Sequence, residues 1–462
     1  MILVNPPATY AREIAQKRYP PAGLLYLAAA LRQAGFSPGI VEANAFSLST
    51  AQAAREVALA RPFLVGLPVF SEILSQVYDL AAAIRQEVPG AVIVLGGPHA
   101  TAVPEKVLAQ FPMADYLLTG EADETLPLLA RDLARGQTPG TIPGLWRRTP
   151  SGPVEDAPHK LPKVTGLARP ARDLVARAYE DKLYHSLLVR SRPVDILFTS
   201  RGCPHACGFC YNFRRRYRGR EPGDVVEELA SIRARGIRDV EICDDTFTAD
   251  EGRALAILDL ILARRLDISF RIKSRVDAFS ERFAKKARAA GVYLVSFGLE
   301  SGSQRMLDAM NKGITLAQSA EAIRLAQAYG LASHTSWIIG FPGETPETVD
   351  ETVRFILKNR PATANLAVLR PYPNTPVYRL AAETGALAGD WEPGRPEPFV
   401  RLAWAQDRRV LDELCTQALK RIYFTPYYLS SFALRIARGA NLQLARYALQ
   451  ETGKALGITR RQ

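Results

Sequence analysis

Three of the five cysteines fall within one short stretch, Ser200-Arg201-Gly202-Cys203-Pro204-His205-Ala206-Cys207-Gly208-Phe209-Cys210. Three thiolates on a loop containing glycine and proline can wrap three corners of an iron–sulfur cube and leave the fourth iron without a protein ligand. An open metal position is where a substrate or cosubstrate binds, in contrast to a closed structural site. Zinc would usually require a second, distant pair of cysteines, and Cys243 and Cys415 are single and far apart. His205 could complete a ligand set, but reads more simply as a loop residue. The metal ligands expected are therefore Cys203, Cys207 and Cys210.

The elements around this loop must hold it at one end of a sheet. Short apolar runs at Asp195–Ser200, Asp239–Asp244, Ser269–Ser274, Tyr293–Gly298, Ala332–Ile339 and Asn365–Leu369 read as buried parallel strands. Helical patterns separate them at Asp224–Ala234, Leu255–Arg264, Glu281–Ala290, Thr315–Tyr329 and Thr345–Leu357. This series predicts a partial (β/α)6 barrel, whose chemistry sits at the carboxyl ends of the strands. The cysteine loop directly follows the first of them.

An earlier series alternates in the same way. Strands are expected at Ile2–Val4, Pro38–Glu42, Phe63–Val69, Ala91–Leu95 and Tyr116–Thr119, with helices between them and after the last. This is the pattern of a doubly wound α/β domain, which binds ligands beyond the carboxyl ends of its strands. No GxGxxG fingerprint occurs at those ends, which disfavours a nicotinamide domain. The expected organisation is an α/β domain over 1–138, a linker over 139–190 rich in Pro, Gly and Thr at its start, the barrel over 191–382 and a mainly helical region over 383–462.

The C-x3-C-x-aromatic-C spacing after a strand resembles the radical S-adenosylmethionine (SAM) superfamily, and the likeness extends over roughly 194–378. The resemblance implies a [4Fe–4S] cluster whose open iron chelates SAM, and reductive cleavage of SAM to a 5′-deoxyadenosyl radical. It also implies SAM contacts at the strand ends: Phe209 near the adenine, Asp244 and Asp245 at the amino group, Ser274 and Arg275 at carboxylate or ribose oxygens. Glu300, Ile338 and Gly340 complete the set. The glycine-glycine-glutamate form common after the second strand is replaced here by Asp244-Asp245, which could instead cap the next helix.

The first domain, with Leu95-Gly96-Gly97-Pro98-His99-Ala100-Thr101 and Thr119-Gly120-Glu121, looks like that of the cobalamin-binding class of the superfamily. The cobalamin contacts implied are Pro68, Gly96, Gly97, Pro98, His99, Gly120 and Glu121; the glycines would let backbone approach a flat corrin. The D-x-H-x-x-G motif that supplies a cobalt-ligating histidine elsewhere does not occur among the five histidines. With both cofactors, the resemblance implies methyl transfer to an unactivated carbon. Alternatives are a non-methylating cyclase or rearrangement enzyme of tetrapyrrole-cyclase type, an enzyme whose first domain has lost cobalamin, and a cluster carrier with a vestigial SAM pocket.

Composition bounds the partners. The net charge of +12 comes from arginines scattered along the whole chain, and no basic run with interleaved aromatics marks a nucleic-acid module. Few cysteines, no signal-peptide pattern and no apolar run of roughly 18 residues point to a cytoplasmic protein without a transmembrane segment. A small-molecule or lipid-like substrate and an external one-electron reductant of flavodoxin or ferredoxin type are expected. Cys243 reads as a small core residue, and Cys415 as inert on a tail helix. The aromatic and basic residues from Arg421 to Leu429 and from Phe432 to Arg438 fit a helix packed on the barrel, or an interfacial helix that touches a membrane surface.

Overall fold

The computed structural model describes residues 1–7, 17–186, 188–211 and 216–437. They form two compact units. One comprises Met1–His185 with Gly389–Glu397, and the other Ser186–Ala388 with the chain from Pro398 onward.

In the first unit the apolar runs become strands β1 (Ile2–Asn5), β2 (Gly39–Glu42), β3 (Leu64–Pro68), β4 (Val92–Gly96) and β5 (Tyr116–Leu118). They pair in parallel in the order β2-β1-β3-β4-β5. Strands of this kind are buried on both faces because helices cover each side. The covering helices show why they form: Thr50–Leu59, for example, begins with a capping box between Ser49 and Gln52. Helices Ala22–Gln33 and Thr125–Ala134 bury Leu24, Ala28, Leu31, Leu126 and Leu129 with Leu3 and Leu64 of the sheet. Each such leucine contributes about 1.5–3 kcal/mol when fully buried.

The stretch expected to be a linker carries structure of its own. Strands β6 (Leu145–Thr149) and β7 (Gly152–Glu155) form a hairpin that extends the sheet antiparallel from β5. Its strands leave little trace in the sequence because they are short and half-exposed, with Gly and Pro in β7.

In the second unit, β8 (Val194–Leu197) leads to a short pair, β9 (Ser200–Arg201) with β10 (Arg218–Gly219). Then follow β11 (Asp239–Ile242), β12 (Ser269–Ser274), β13 (Val292–Glu300), β14 (Ala332–Ile339) and β15 (Thr363–Val368). The main sheet runs β8-β11-β12-β13-β14-β15, all parallel and in chain order. This is the expected open barrel of six strands. Phe279 stacks edge-on against Phe283 and Phe297, filling the space between sheet and helices.

After the barrel, residues 389–397 belong to the first unit, which no sequence pattern announced. Helices Arg408–Tyr423 and Pro426–Ala437 follow. The Tyr423 hydroxyl donates to the Ala364 carbonyl at 2.6 Å and accepts the Ala364 N–H at 2.9 Å. It thereby closes part of the edge strand β15, and Tyr428 donates to the Pro361 carbonyl at 2.9 Å. The Arg421–Leu429 stretch thus packs on the barrel. Residues 438–462, and the side chains of Phe432 and of 434–437, lie outside the described residues. Among the described residues no helix is long and apolar enough to cross a membrane.

Candidate active site

The three cysteines hang on a loop secured at both ends. At its root, the fully buried Asp244 carboxylate accepts the N–H groups of Thr199 at 2.6 Å and Ser200 at 3.1 Å, and the hydroxyls of both residues. Arg253 donates to the carbonyls of Thr199 and Arg220, and Arg220 bonds the Phe198 carbonyl and Glu228, each within 2.9 Å. At its tip, Gly208 donates to the Met310 carbonyl at 2.8 Å and accepts the Val377 N–H at 2.9 Å. The Asn311 amide holds the Ala206 carbonyl at 2.9 Å.

None of the three cysteines is in a disulfide, with Cys203 and Cys207 half-buried and Cys210 exposed. Burial pushes the Cys203 thiol up, and the His205 N–H and Thr246 hydroxyl oppose the shift. Among the described residues no three His, Cys, Asp or Glu side chains gather around one ion. A cube does not require that, since each thiolate binds a different iron. Three thiols with no disulfide on one fixed loop are a donor set that fits such a cluster. His205 stays half-buried on the loop, held below the ordinary imidazole value by burial and by Arg275.

The strand ends around the loop sort the expected SAM contacts. The Asp244 carboxylate is buried and engaged by four donors from the cysteine loop, which it supports. Neither aspartate caps the next helix, because Asp250 does so by accepting the Arg253 N–H. Asp245 is exposed. Ser274 shares a 2.7 Å hydrogen bond with Thr248. Arg275 pairs with Asp277 at 2.9 Å, donates to the Lys312 carbonyl, and brings Nη1 to 3.9 Å from Cys207 Sγ. Glu300, left-handed at φ 65°, pairs with Lys312 at 2.8 Å, and the Lys312 ammonium stands 5.6 Å from the Phe209 ring centroid. Ile338 is half-buried, and Gly340 at φ 97° donates its N–H to Glu344.

Lys312 and Glu344 were not anticipated. Neither sits in a strand or a motif whose chemistry could be read from spacing. Lys312 lies just after the helix Gln304–Ala309, and Glu344 in the turn after β14. Burial pushes the Glu344 carboxyl up to about 7.

In the first unit the ends of β3, β4 and β5 are stitched together. Val69 donates to the Gly96 carbonyl at 2.7 Å, and His99 donates its N–H to the Val69 carbonyl at 3.0 Å. The Thr101 hydroxyl donates to the Gly97 carbonyl and accepts the Gly120 N–H at 2.9 Å. Pro68, Gly96, Gly97, Pro98 and Gly120 are half-buried along this rim, which presents few side chains. The two most constrained glycines have reasons inside the protein. A Cβ on Gly97 would stand 3.0 Å from the Val69 nitrogen, and one on Gly120 would strike the His159 ring at 2.3 Å. His159 Nε2 in turn lies 3.1 Å from both the N–H and the carbonyl of buried Glu121. His99 is buried, with Nδ1 2.7 Å from the Ser71 hydroxyl and its ring edge-on to Trp391. Burial lowers its imidazole to about 4, so it is neutral. A side-chain-poor rim with one neutral imidazole fits a flat, largely uncharged ligand face.

Residues 12–130 match the B12 binding domain family, and residues 197–356 match the radical SAM superfamily. A Pyrococcus horikoshii protein named as an uncharacterized methyltransferase is 32% identical over 436 residues, covering 92% of each chain. The anaerobic magnesium-protoporphyrin IX monomethyl ester cyclase of Rubrivivax gelatinosus is 28% identical over 370 residues, which span 78% of this chain and 66% of that protein. Among solved structures, the radical SAM methyltransferase TsrM of Kitasatospora setae, with cobalamin and a [4Fe–4S] cluster bound, shares the fold. Its TM-score is 0.75 at 22% identity, over 92% of this chain and 89% of that one.

Proposed function

Because this chain belongs to the cobalamin-dependent radical SAM methyltransferase family, we propose that it moves a methyl group to an unactivated carbon of a small or lipid-like substrate. The observation that carries this reading is the set of three cysteines, none in a disulfide, on a loop fixed at the mouth of the six-stranded barrel, in one chain with a cobalamin-type domain. Bound to the chain, the [4Fe–4S] cluster, SAM and cobalamin together supply one-electron cleavage of a sulfonium and methyl delivery.

The chain's own residues bind and orient. Cys203, Cys207 and Cys210 would hold three irons, and Asp244 keeps their loop in register with β11. Arg275 places a cation beside Cys207. Asp245 is the exposed carboxylate suited to an ammonium group, and the half-buried Phe209 and Ile338 offer apolar surface for a nucleoside. Pro68, Gly96, Gly97, Pro98 and Gly120, with His99 behind them, would face the corrin. The electron would come from an external carrier of flavodoxin or ferredoxin type, in a reducing compartment that keeps thiols reduced.

The alignment with a ring cyclase favours a second reading, a radical ring closure without methyl transfer. Both are tested by reconstituting the enzyme anaerobically with iron, sulfide and cobalamin and supplying SAM deuterated at its methyl group. Transfer of deuterium to a product supports methylation, whereas 5′-deoxyadenosine release with no deuterium in any product supports the cyclase. Cys203→Ala, Cys207→Ala and Cys210→Ala should each lose 5′-deoxyadenosine release, while Cys243→Ala and Cys415→Ala should retain it.

A further inference from the structure

Among the described residues, four cations of the second unit that turn inward are matched to carboxylates. Arg220 pairs with Glu228 at 2.7 Å, Arg271 with Glu241, Arg275 with Asp277 at 2.9 Å and Lys312 with Glu300 at 2.8 Å. Lys273 on β12 breaks the pattern: among the described residues its ammonium has neither an ion pair nor a hydrogen bond. Its surroundings are not those of a surface lysine. It stands two residues beyond Arg271, on the same face of the sheet, and its register partner on β13 is Ser296. Ser296 pairs in turn with His334, and His334 with Thr363. One layer further along lie Gly298, Ser336 and Asn365, which are also in register. Lys273, Ser296, Gly298, His334, Ser336 and Asn365 are all half-buried, whereas Ile272, Val295, Phe297, Trp337 and Leu366 between them are buried against the helices. The inner face of this barrel is therefore polar and partly accessible.

An ammonium drawn partly out of water with no partner costs free energy, so it is retained where something completes it. Against desolvation, the carboxylates of Glu241 and Asp245 help to raise Lys273 above the ordinary lysine value, so it is charged. Neither of them bonds it. Glu241 is engaged by Arg271, and burial keeps the Cys243 thiol protonated.

We propose that Lys273 is the anion-binding residue of the barrel interior, receiving a carboxylate or phosphate oxygen of the ligand held there, with the Ser296 and Ser336 hydroxyls as polar company. This deepens the methyl-transfer reading and rests on it, since either SAM or the methyl acceptor supplies the anion.

The test uses the anaerobically reconstituted full chain, with iron content measured first. S-adenosylhomocysteine and inorganic phosphate are the probes, titrated by calorimetry into wild type, Lys273→Met and Lys273→Arg. Loss of about tenfold or more in S-adenosylhomocysteine affinity in Lys273→Met, largely restored in Lys273→Arg, assigns the anion to the amino-acid carboxylate of SAM. Unchanged S-adenosylhomocysteine affinity, with phosphate binding to the saturated enzyme lost in Lys273→Met, assigns it to an acidic substrate. Unchanged affinity for both probes, or a wild type that binds neither, overturns the proposal. A measurement on wild type alone guards against a variant that does not fold. Acetylation of Lys273, read by peptide mass spectrometry against the exposed Lys285, should slow when either probe is bound, and no protection by either overturns the proposal. If the wild type takes up no iron, the cluster reading fails instead, so the two failures are distinguishable.

Discussion

Ser200 gives both of its donors to Asp244: its N–H reaches Oδ1 at 3.1 Å and its hydroxyl reaches Oδ2 at 2.6 Å. Thr199 does the same with its own pair. A carboxylate at the end of the second barrel strand thereby sets the direction in which the chain leaves the first, a few residues before Cys203. Asp244→Ala leaves two buried N–H groups without acceptors and should cost about 2–4 kcal/mol in the urea unfolding free energy, with iron content falling in parallel. Asp244→Asn keeps one acceptor oxygen and should retain much of both. If Asp244 only supports the loop, Asp244→Asn binds S-adenosylhomocysteine as wild type does, and Asp245→Asn loses about tenfold. Calorimetry on iron-replete protein reads the difference, and the opposite ranking would return Asp244 to the ligand.

Arg275 Nη1 stands 3.9 Å from Cys207 Sγ, while the rest of the guanidinium is fixed by Asp277 and the Lys312 carbonyl. A fixed cation beside a thiolate favours the more negative, reduced state of a cluster. Arg275→Met should therefore shift the cluster midpoint to more negative potential, and Arg275→Lys should shift it less. Redox titration followed by electron paramagnetic resonance measures both. An unchanged midpoint in Arg275→Met would remove the electrostatic role.

Much of this was legible in the sequence because the signals were of the strong kind. The strands of both sheets are apolar runs of the right length, and the cysteine spacing needs no structure to be seen. Asp244 shows where legibility ends. Two adjacent aspartates after a strand carry the same letter, yet one is buried under four donors and the other is exposed. That difference arises from the turn of the backbone, which no local pattern encodes. Lys312 and Glu300 are likewise brought together by the left-handed turn at Glu300 and the helix that follows it. The hairpin β6–β7 was hidden by weak alternation, and the return of residues 389–397 to the first unit by its long range in sequence.

His159, in the stretch read as a linker, fills the space over Gly120. A Cβ at Gly120 would lie 2.3–2.5 Å from three atoms of the His159 ring, and the backbone there is left-handed at φ 71°. Gly120→Ala therefore faces a clash and a conformational cost of roughly 1–2 kcal/mol. Thermal unfolding should show a clear loss for Gly120→Ala, and Gly120→Ala with His159→Ala should recover the part due to the clash but not the part due to φ. If the double variant is no better than the single one, the ring is not what Gly120 accommodates. Cobalamin retention on gel filtration should follow the same order if this rim holds the corrin.

The buried Glu344 carboxyl accepts the N–H groups of Gly340 and Phe341, yet burial outweighs both and raises it from 4.5 to about 7. The folded chain thus holds this proton more tightly than the unfolded chain does. The stability Glu344 contributes is whole below pH 4.5, declines as the pH rises, and is lost once the pH passes about 7, with an upper bound of about 3 kcal/mol. Glu344→Gln has nearly the same shape and nothing to titrate. Urea midpoints of wild type should fall relative to Glu344→Gln between pH 5 and pH 8. Glu42, raised to about 7 in the first unit, titrates in the same window and in the same direction. It is present in both proteins, so the difference between them isolates Glu344. Parallel midpoints across that range would mean that Glu344 is ionised in the fold. In that case the turn holding Gly340 at the end of β14 is built on a charge, not on a neutral acid.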